Sequence, residues 1–156
     1  METLSTLSIM DRILFLKRVP LFSDLPPAEL KQVAAIATEL FYLDSDIIAH
    51  QGDPGDEMYI IVSGEVLVMA DQGGHSATAL ARRGPGEYVG EMAIISQEPR
   101  MASLVAHGDV RVLNIEQAQF EAILRERPDT SLAVMRVLCA RLKEVQRLGV
   151  VKEALT

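Results

Sequence analysis

Between Gly52 and Asp109 the chain is cut into short apolar runs by clusters of Gly, Pro, Asp and Ser, and this punctuation limits the fold more than any other feature. The clusters Gly52-Asp53-Pro54-Gly55, Ser63-Gly64, Gly73-Gly74, Gly84-Pro85-Gly86 and Gly108-Asp109 supply residues that tolerate positive φ or set a turn. The runs between them, such as Tyr59–Val62, Val66–Met69 and Leu104–Val105, are rich in strand-forming residues. The spacing predicts a mainly β segment from Leu40 to Ile115, folded as a roll, a jelly roll or a barrel.

Helical periodicity flanks this segment. Leu7, Met10 and Leu14, with Ile9, Ile13 and Leu16 beside them, recur at three and four residues and predict an amphipathic helix that Pro20 ends. Pro26 and Pro27 suit the first turn of a second helix running through about Lys31 to Thr38, with Asp24 as its N-cap. After Ile115, Phe120, Ile123 and Leu124 mark a short helix that Pro128 interrupts. Beyond it, Leu132, Met135, Leu138, Leu142 and Val145 form one apolar stripe that faces the roll or a partner. The organisation is therefore a single unit: helices over 1–39, β-roll over 40–115 and helices over 116–148.

Composition removes several function classes. A net charge of -7 opposes non-specific attraction to nucleic acid or anionic lipid. Cys139 is the only cysteine, so no intramolecular disulfide forms and a cytoplasmic setting is expected. Neither a signal peptide nor a membrane-spanning run is visible. His50, His75 and His107 are scattered without clustered ligands, so neither a metal nor a catalytic triad is expected.

The chemistry lies between Gly86 and Ser103. Gly90 can bring backbone close to a ligand, and Glu91-Met92-Ala93-Ile94 predict a single helical turn whose free N–H groups favour an anion. Arg100, behind Pro99, supplies a guanidinium to the same anion. Glu91 needs a hydroxyl donor instead, since a carboxylate beside a phosphate is otherwise repelled, and a ribose 2′-OH suits it. In residue type and spacing, Gly90-Glu91-Met92-Ala93 followed by Pro99-Arg100 and Ala102 resembles the phosphate-binding cassette of cyclic-nucleotide-binding domains. The Gly52-to-Ile61 run, the Ser63-Gly64-Glu65-Val66 turn and the flanking helices extend the resemblance over nearly the whole chain.

The resemblance implies an eight-stranded, jelly-roll-like β-roll with N-terminal helices, a short cassette helix and two C-terminal helices. It implies a non-catalytic regulatory domain with cAMP or cGMP as ligand and no cofactor. Arg100 would hold the cyclic phosphate, Glu91 the 2′-OH, and N–H groups near Met92 and Ala93 the phosphate oxygens. Met101 departs from the Ser or Thr of many members, which removes the usual support for cGMP and tilts the expectation to cAMP. Val89 would border the pocket, while Leu138, Arg141 and Leu142 would belong to a lid. The resemblance allows an attached or associated channel, transporter, kinase or helical-repeat effector, and it is compatible with a homo-oligomer.

Plainer readings compete. Glu91 and Arg100 could form an internal ion pair, worth little by itself, and the domain could keep its fold as an interaction module without ligand. A DNA-reading regulator is disfavoured because few residues follow the long helix, and a metal-dependent barrel enzyme because the ligand set is missing.

Overall fold

A computed structural model describes residues 6–71, 78–91, 93–96 and 98–154. The Gly73-Gly74 turn, His75 and Met92 lie outside them, as does the side chain of Arg141. The chain begins with helix α1 (Ile9–Leu16), capped by the Ser8 hydroxyl, which accepts from the Asp11 N–H at 3.1 Å. Pro20 does not simply end this helix: it occupies the first turn of a short helix, α2 (Pro20–Ser23). Asp24 closes α2, and Pro26 rather than Asp24 stands at the N-cap of α3 (Pro27–Ile36). Thr38 already belongs to strand β1 (Thr38–Tyr42), so extended backbone starts earlier than the periodicity predicts.

Strands β2 (Ile47–Ala49), β3 (Glu57–Ala70), β4 (Thr78–Arg83), β5 (Tyr88–Val89) and β6 (Ser103–Glu116) complete an antiparallel sheet of six strands among the described residues, where eight were expected. The difference has a local cause. Ser63-Gly64 and Gly108-Asp109 are not turns between strands but irregularities inside the two 14-residue strands β3 and β6, which pair along their length. The register shifts on both sides of Ser63, and Gly64 adopts φ +89, so the strand bends without ending. A Cβ at Gly64 would lie 2.3 Å from the Asp109 carbonyl oxygen, which makes glycine obligatory at this bend.

Two apolar clusters hold the fold. One lies inside the roll, where Tyr59, Ile61, Val66, Leu104 and Val112 meet. The other joins the sheet to the helices through Leu16, Phe22, Leu30, Met58, Leu113 and Phe120. In the second, the rings of Phe22 and Phe120 meet edge to face at 5.5 Å, binding α2 to helix α5 (Gln117–Glu126). The long helix α6 (Pro128–Ala154) follows, tied to α5 by the Ser131 hydroxyl donating to the Leu124 carbonyl at 2.6 Å.

The apolar stripe of α6 does not face the roll. Thr130, Val134 and Val137 are its buried positions, whereas Leu132, Met135, Leu142 and Val145 are exposed and Leu138 packs at the edge of the helical cluster. Both faces carry apolar residues at three- and four-residue spacing, so periodicity alone cannot select the buried one. Among the described residues no helix is long and apolar enough to cross a membrane, and no group of three metal-ligating side chains gathers.

Candidate functional site

The cassette connects β5 to β6 across the mouth of the roll, with the short helix α4 (Ala93–Ser96) in its middle. Gly90, directly after β5, has φ +77, and a Cβ there would lie 2.9 Å from the Glu57 carbonyl oxygen and 3.2 Å from Nη1 of Arg100. Only glycine lets the chain turn this close to β3 and to the arginine.

Arg100 is held from both ends. Its backbone N–H donates to the Asp53 carbonyl at 2.8 Å, and its own carbonyl accepts from the Gly52 N–H at 2.8 Å. Its Nη2 donates to the Glu57 carbonyl at 2.6 Å, while the guanidinium lies 5.4 Å from the centre of the Tyr59 ring. The Tyr59 hydroxyl donates to Glu57 at 2.5 Å, so that carboxylate is engaged by the phenol. Burial, reinforced by this carboxylate, pushes the Tyr59 hydroxyl well above the ordinary tyrosine range and keeps it a donor. The Arg100 guanidinium thus has a fixed position without a carboxylate partner among the described residues.

Glu91 is 5% exposed, and its carboxylate accepts from the Leu21 N–H in α2 at 3.4 Å. Glu91 and Arg100 therefore bond to other groups rather than to each other. The Ala93 N–H donates to the Gly90 carbonyl at 2.9 Å, closing the turn that leads into α4.

Val89, Gly90, Glu91, Ala93, Arg100, Met101 and Ala102, all anticipated from the sequence, line one cavity of about 430 Å³. That volume lies within the usual range for small-molecule sites. Met101 is at the rim, 86% exposed. Leu138 and Leu142, proposed from the sequence as lid residues, are not brought to this cavity.

The structure adds Gly55, Val68, Arg83, Tyr88 and Leu104 to the lining. Gly55 is there because the 52–55 loop pairs with the cassette: its N–H donates to the Glu98 carbonyl at 3.1 Å, and a Cβ would fall 2.3 Å from that oxygen. Strand alternation was the available signal for Val68 and Leu104. For Arg83, next to a second arginine, only the strand register separates inside from outside.

Fold and cavity define the class: a small β-roll whose open end carries a cassette presenting one guanidinium and one buried carboxylate. The family model of the cyclic nucleotide-binding domain matches residues 39–127, and the chain belongs to that family. It is 34% identical over 113 residues to a cAMP-dependent protein kinase regulatory subunit of Blastocladiella emersonii, a match covering 70% of this chain and 27% of the relative. It is 32% identical over 129 residues to the Cyclic AMP receptor protein of Thermus thermophilus, covering 83% of this chain and 60% of that protein. The N-terminal domain of a transcriptional regulator from Streptomyces coelicolor A3(2) shares the fold at a TM-score of 0.78 and 29% identity, over 84% of this chain and 94% of the other. The matched stretch thus spans only 27% and 60% of the length of the two curated relatives.

Proposed function

We propose that residues 1–156 act as one non-catalytic regulatory unit of the cytoplasm that binds cAMP in preference to cGMP and passes binding on through α5 and α6. One observation carries this reading. A single cavity joins a guanidinium without a carboxylate partner among the described residues to a carboxylate that is almost wholly buried. A cyclic phosphodiester can accept from that guanidinium while an adjacent ribose hydroxyl donates to the carboxylate.

In this reading Arg100 holds the phosphate, Glu91 takes the 2′-OH, and Gly90 admits the ligand close to the backbone beside Met92 and Ala93. Val89, Met101 and Ala102 border the ligand, and Leu138, Arg141 and Leu142 form a lid once α6 swings over it. The relatives named for cAMP support that nucleotide, as does Met101, which lacks the hydroxyl that would favour cGMP.

Transmission has a physical route. Glu91 bonds α2, α2 stacks on α5 through Phe22 and Phe120, and α5 leads into α6 at Pro128. A ligand hydroxyl competing for Glu91 would loosen the first of these contacts. The output would be an attached or associated effector, such as a channel, transporter, kinase or helical-repeat protein.

Isothermal titration of the purified chain with cAMP and cGMP tests the reading. Stoichiometric binding of cAMP, weaker binding of cGMP and a loss of about 2–5 kcal/mol in Arg100→Ala are expected. Absence of binding at millimolar nucleotide would overturn it.

A further inference from the structure

A second cavity, of about 620 Å³, lies where the junction of α1 and α2 meets the loop between β4 and β5. Arg18, Arg83, Gly86, Glu87 and Tyr88 line it, and of these Arg83 and Tyr88 also border the cavity described above. Arg18 is placed by its neighbours. Leu16 and Val19 are fully buried, which anchors the backbone on both sides, and the exposed Arg18 side chain lies across Gly86. A Cβ at Gly86, whose φ is +82, would fall 2.7 Å from Nη1 of Arg18 and 3.0 Å from its Cδ and Cζ. The bare backbone at this position makes room for the guanidinium.

The charges of this cavity do not cancel within the fold. The Arg18 guanidinium has no hydrogen-bond or ion-pair partner among the described residues, and that of Arg83 bonds only the Arg82 carbonyl, at 3.0 Å. Glu87, the one carboxylate in the lining, pairs with neither arginine; its Oε1 accepts the Gly84 N–H at 2.8 Å. The Tyr88 hydroxyl is likewise without a hydrogen-bond partner among the described residues. Two guanidiniums sharing one cavity repel each other, and here no ion partner offsets that repulsion. With the phenol they present more donors than the lining has acceptors, in a chain whose net charge of -7 otherwise repels anions.

We propose that this second cavity is an anion site that takes a ligand with two linked phosphoryl groups. A guanidinium fork matches the oxygens of one phosphoryl group, and two forks on separate elements suit a linked pair. Inorganic pyrophosphate and the phosphate chain of a nucleoside triphosphate share this chemistry. Bound there, the anion would bridge Arg18 and Arg83 and so tie the α1–α2 junction to the β-roll. Glu87 opposes it as a like charge and limits its affinity. The site stands independently of the nucleotide-binding reading above.

The test is isothermal titration of inorganic pyrophosphate into the whole chain at one low salt concentration, with Arg18→Gln, Arg18→Lys, Glu87→Gln and Arg100→Ala beside wild type. Because Arg18 bonds nothing through its side chain among the described residues, Arg18→Gln should melt as wild type does. It should weaken pyrophosphate on the order of tenfold or more, and Arg18→Lys, which keeps the charge without the fork, should recover only part of that loss. Glu87→Gln should tighten binding roughly a few-fold by removing the like charge. Arg100→Ala should bind as wild type does. Unchanged affinity in Arg18→Gln would overturn the proposal, and so would loss of binding in Arg100→Ala, which would put the anion in the cassette. Orthophosphate bound as tightly as pyrophosphate would overturn the two-group ligand. Titration with ATP separates the sources: affinity equal to that of pyrophosphate supports a nucleoside triphosphate, and no binding supports the free anion.

Discussion

The Glu91 carboxylate accepts the Leu21 N–H at 3.4 Å, joining the floor of the cavity to a helix 70 positions earlier in the chain. The contact ties the residue that should read the sugar to α2, whose Leu21 and Phe22 are part of the helical core. At 3.4 Å the bond is longer than an ordinary N–H···O bond, so a ligand hydroxyl at normal distance can compete for the same oxygens.

Sugar reading follows from this. If Glu91 accepts the 2′-OH, 2′-deoxy-cAMP should bind roughly tenfold or more weakly than cAMP, because the ligand then brings no hydroxyl donor to the charged carboxylate. Glu91→Gln should bring the two ligands closer together. Competition titration of the ribo and deoxy forms measures the ratio, and equal wild-type affinities would refute the role.

Two glycines with the same backbone angle separate strain from contact. Gly90 and Gly108 both have φ +77, but a Cβ at Gly90 meets the Glu57 carbonyl at 2.9 Å whereas a Cβ at Gly108 meets nothing within 4 Å. Gly108→Ala should cost about 1–2 kcal/mol of stability from left-handed backbone alone and leave binding unchanged. Gly90→Ala should cost more and also weaken nucleotide binding by displacing Arg100. Urea unfolding and titration of both variants make the comparison.

The Phe22–Phe120 pair should be the costliest apolar contact to remove. Both rings are 0% exposed, so Phe120→Ala should lose about 3–5 kcal/mol. A double-mutant cycle with Phe22→Leu should return a coupling of about 0.5–1.5 kcal/mol. Additive losses would show that α2 and α5 do not communicate through these rings.

Acid should release the N-terminal helix from the roll first. Burial raises the Glu39 carboxyl, but Arg111 at 2.9 Å, the Leu7 N–H and Arg12 outweigh it and hold Glu39 below the ordinary value of 4.5. The folded state therefore binds fewer protons at this site than the unfolded chain. The stabilisation is present above about pH 4.5 and is lost as pH falls through the lower folded value. Glu39→Gln should be less stable than wild type at pH 7, and the gap should close towards pH 3. Melting curves across that range test it; a gap that stayed constant would exclude the carboxylate as its cause.

The cassette was legible in the sequence because its chemistry is local. Gly90, Glu91 and Arg100 sit within a short stretch whose turn and loop follow from Gly and Pro, and the structure brings them to one cavity. The alternation of turn clusters with strand-forming runs likewise determined a mainly β core between two helical flanks. Strand number was not determined, because a glycine that bends a strand and one that ends it look alike until a partner strand is in place. Gly64 and Gly108 bend, and β3 and β6 continue through them.

What only the tertiary structure decided were relations between distant segments. Arg82 and Arg83 are the same residue type in adjacent positions, and pairing with Leu67 and Val66 alone sends one outward and the other into the cavity. The buried face of α6 is the one that enters, through Val134, the apolar cluster containing Phe22 and Phe120, and its periodicity does not select it. Glu91 met Leu21 for the same reason: local spacing determines which way a side chain leaves its own element, and packing determines what waits there.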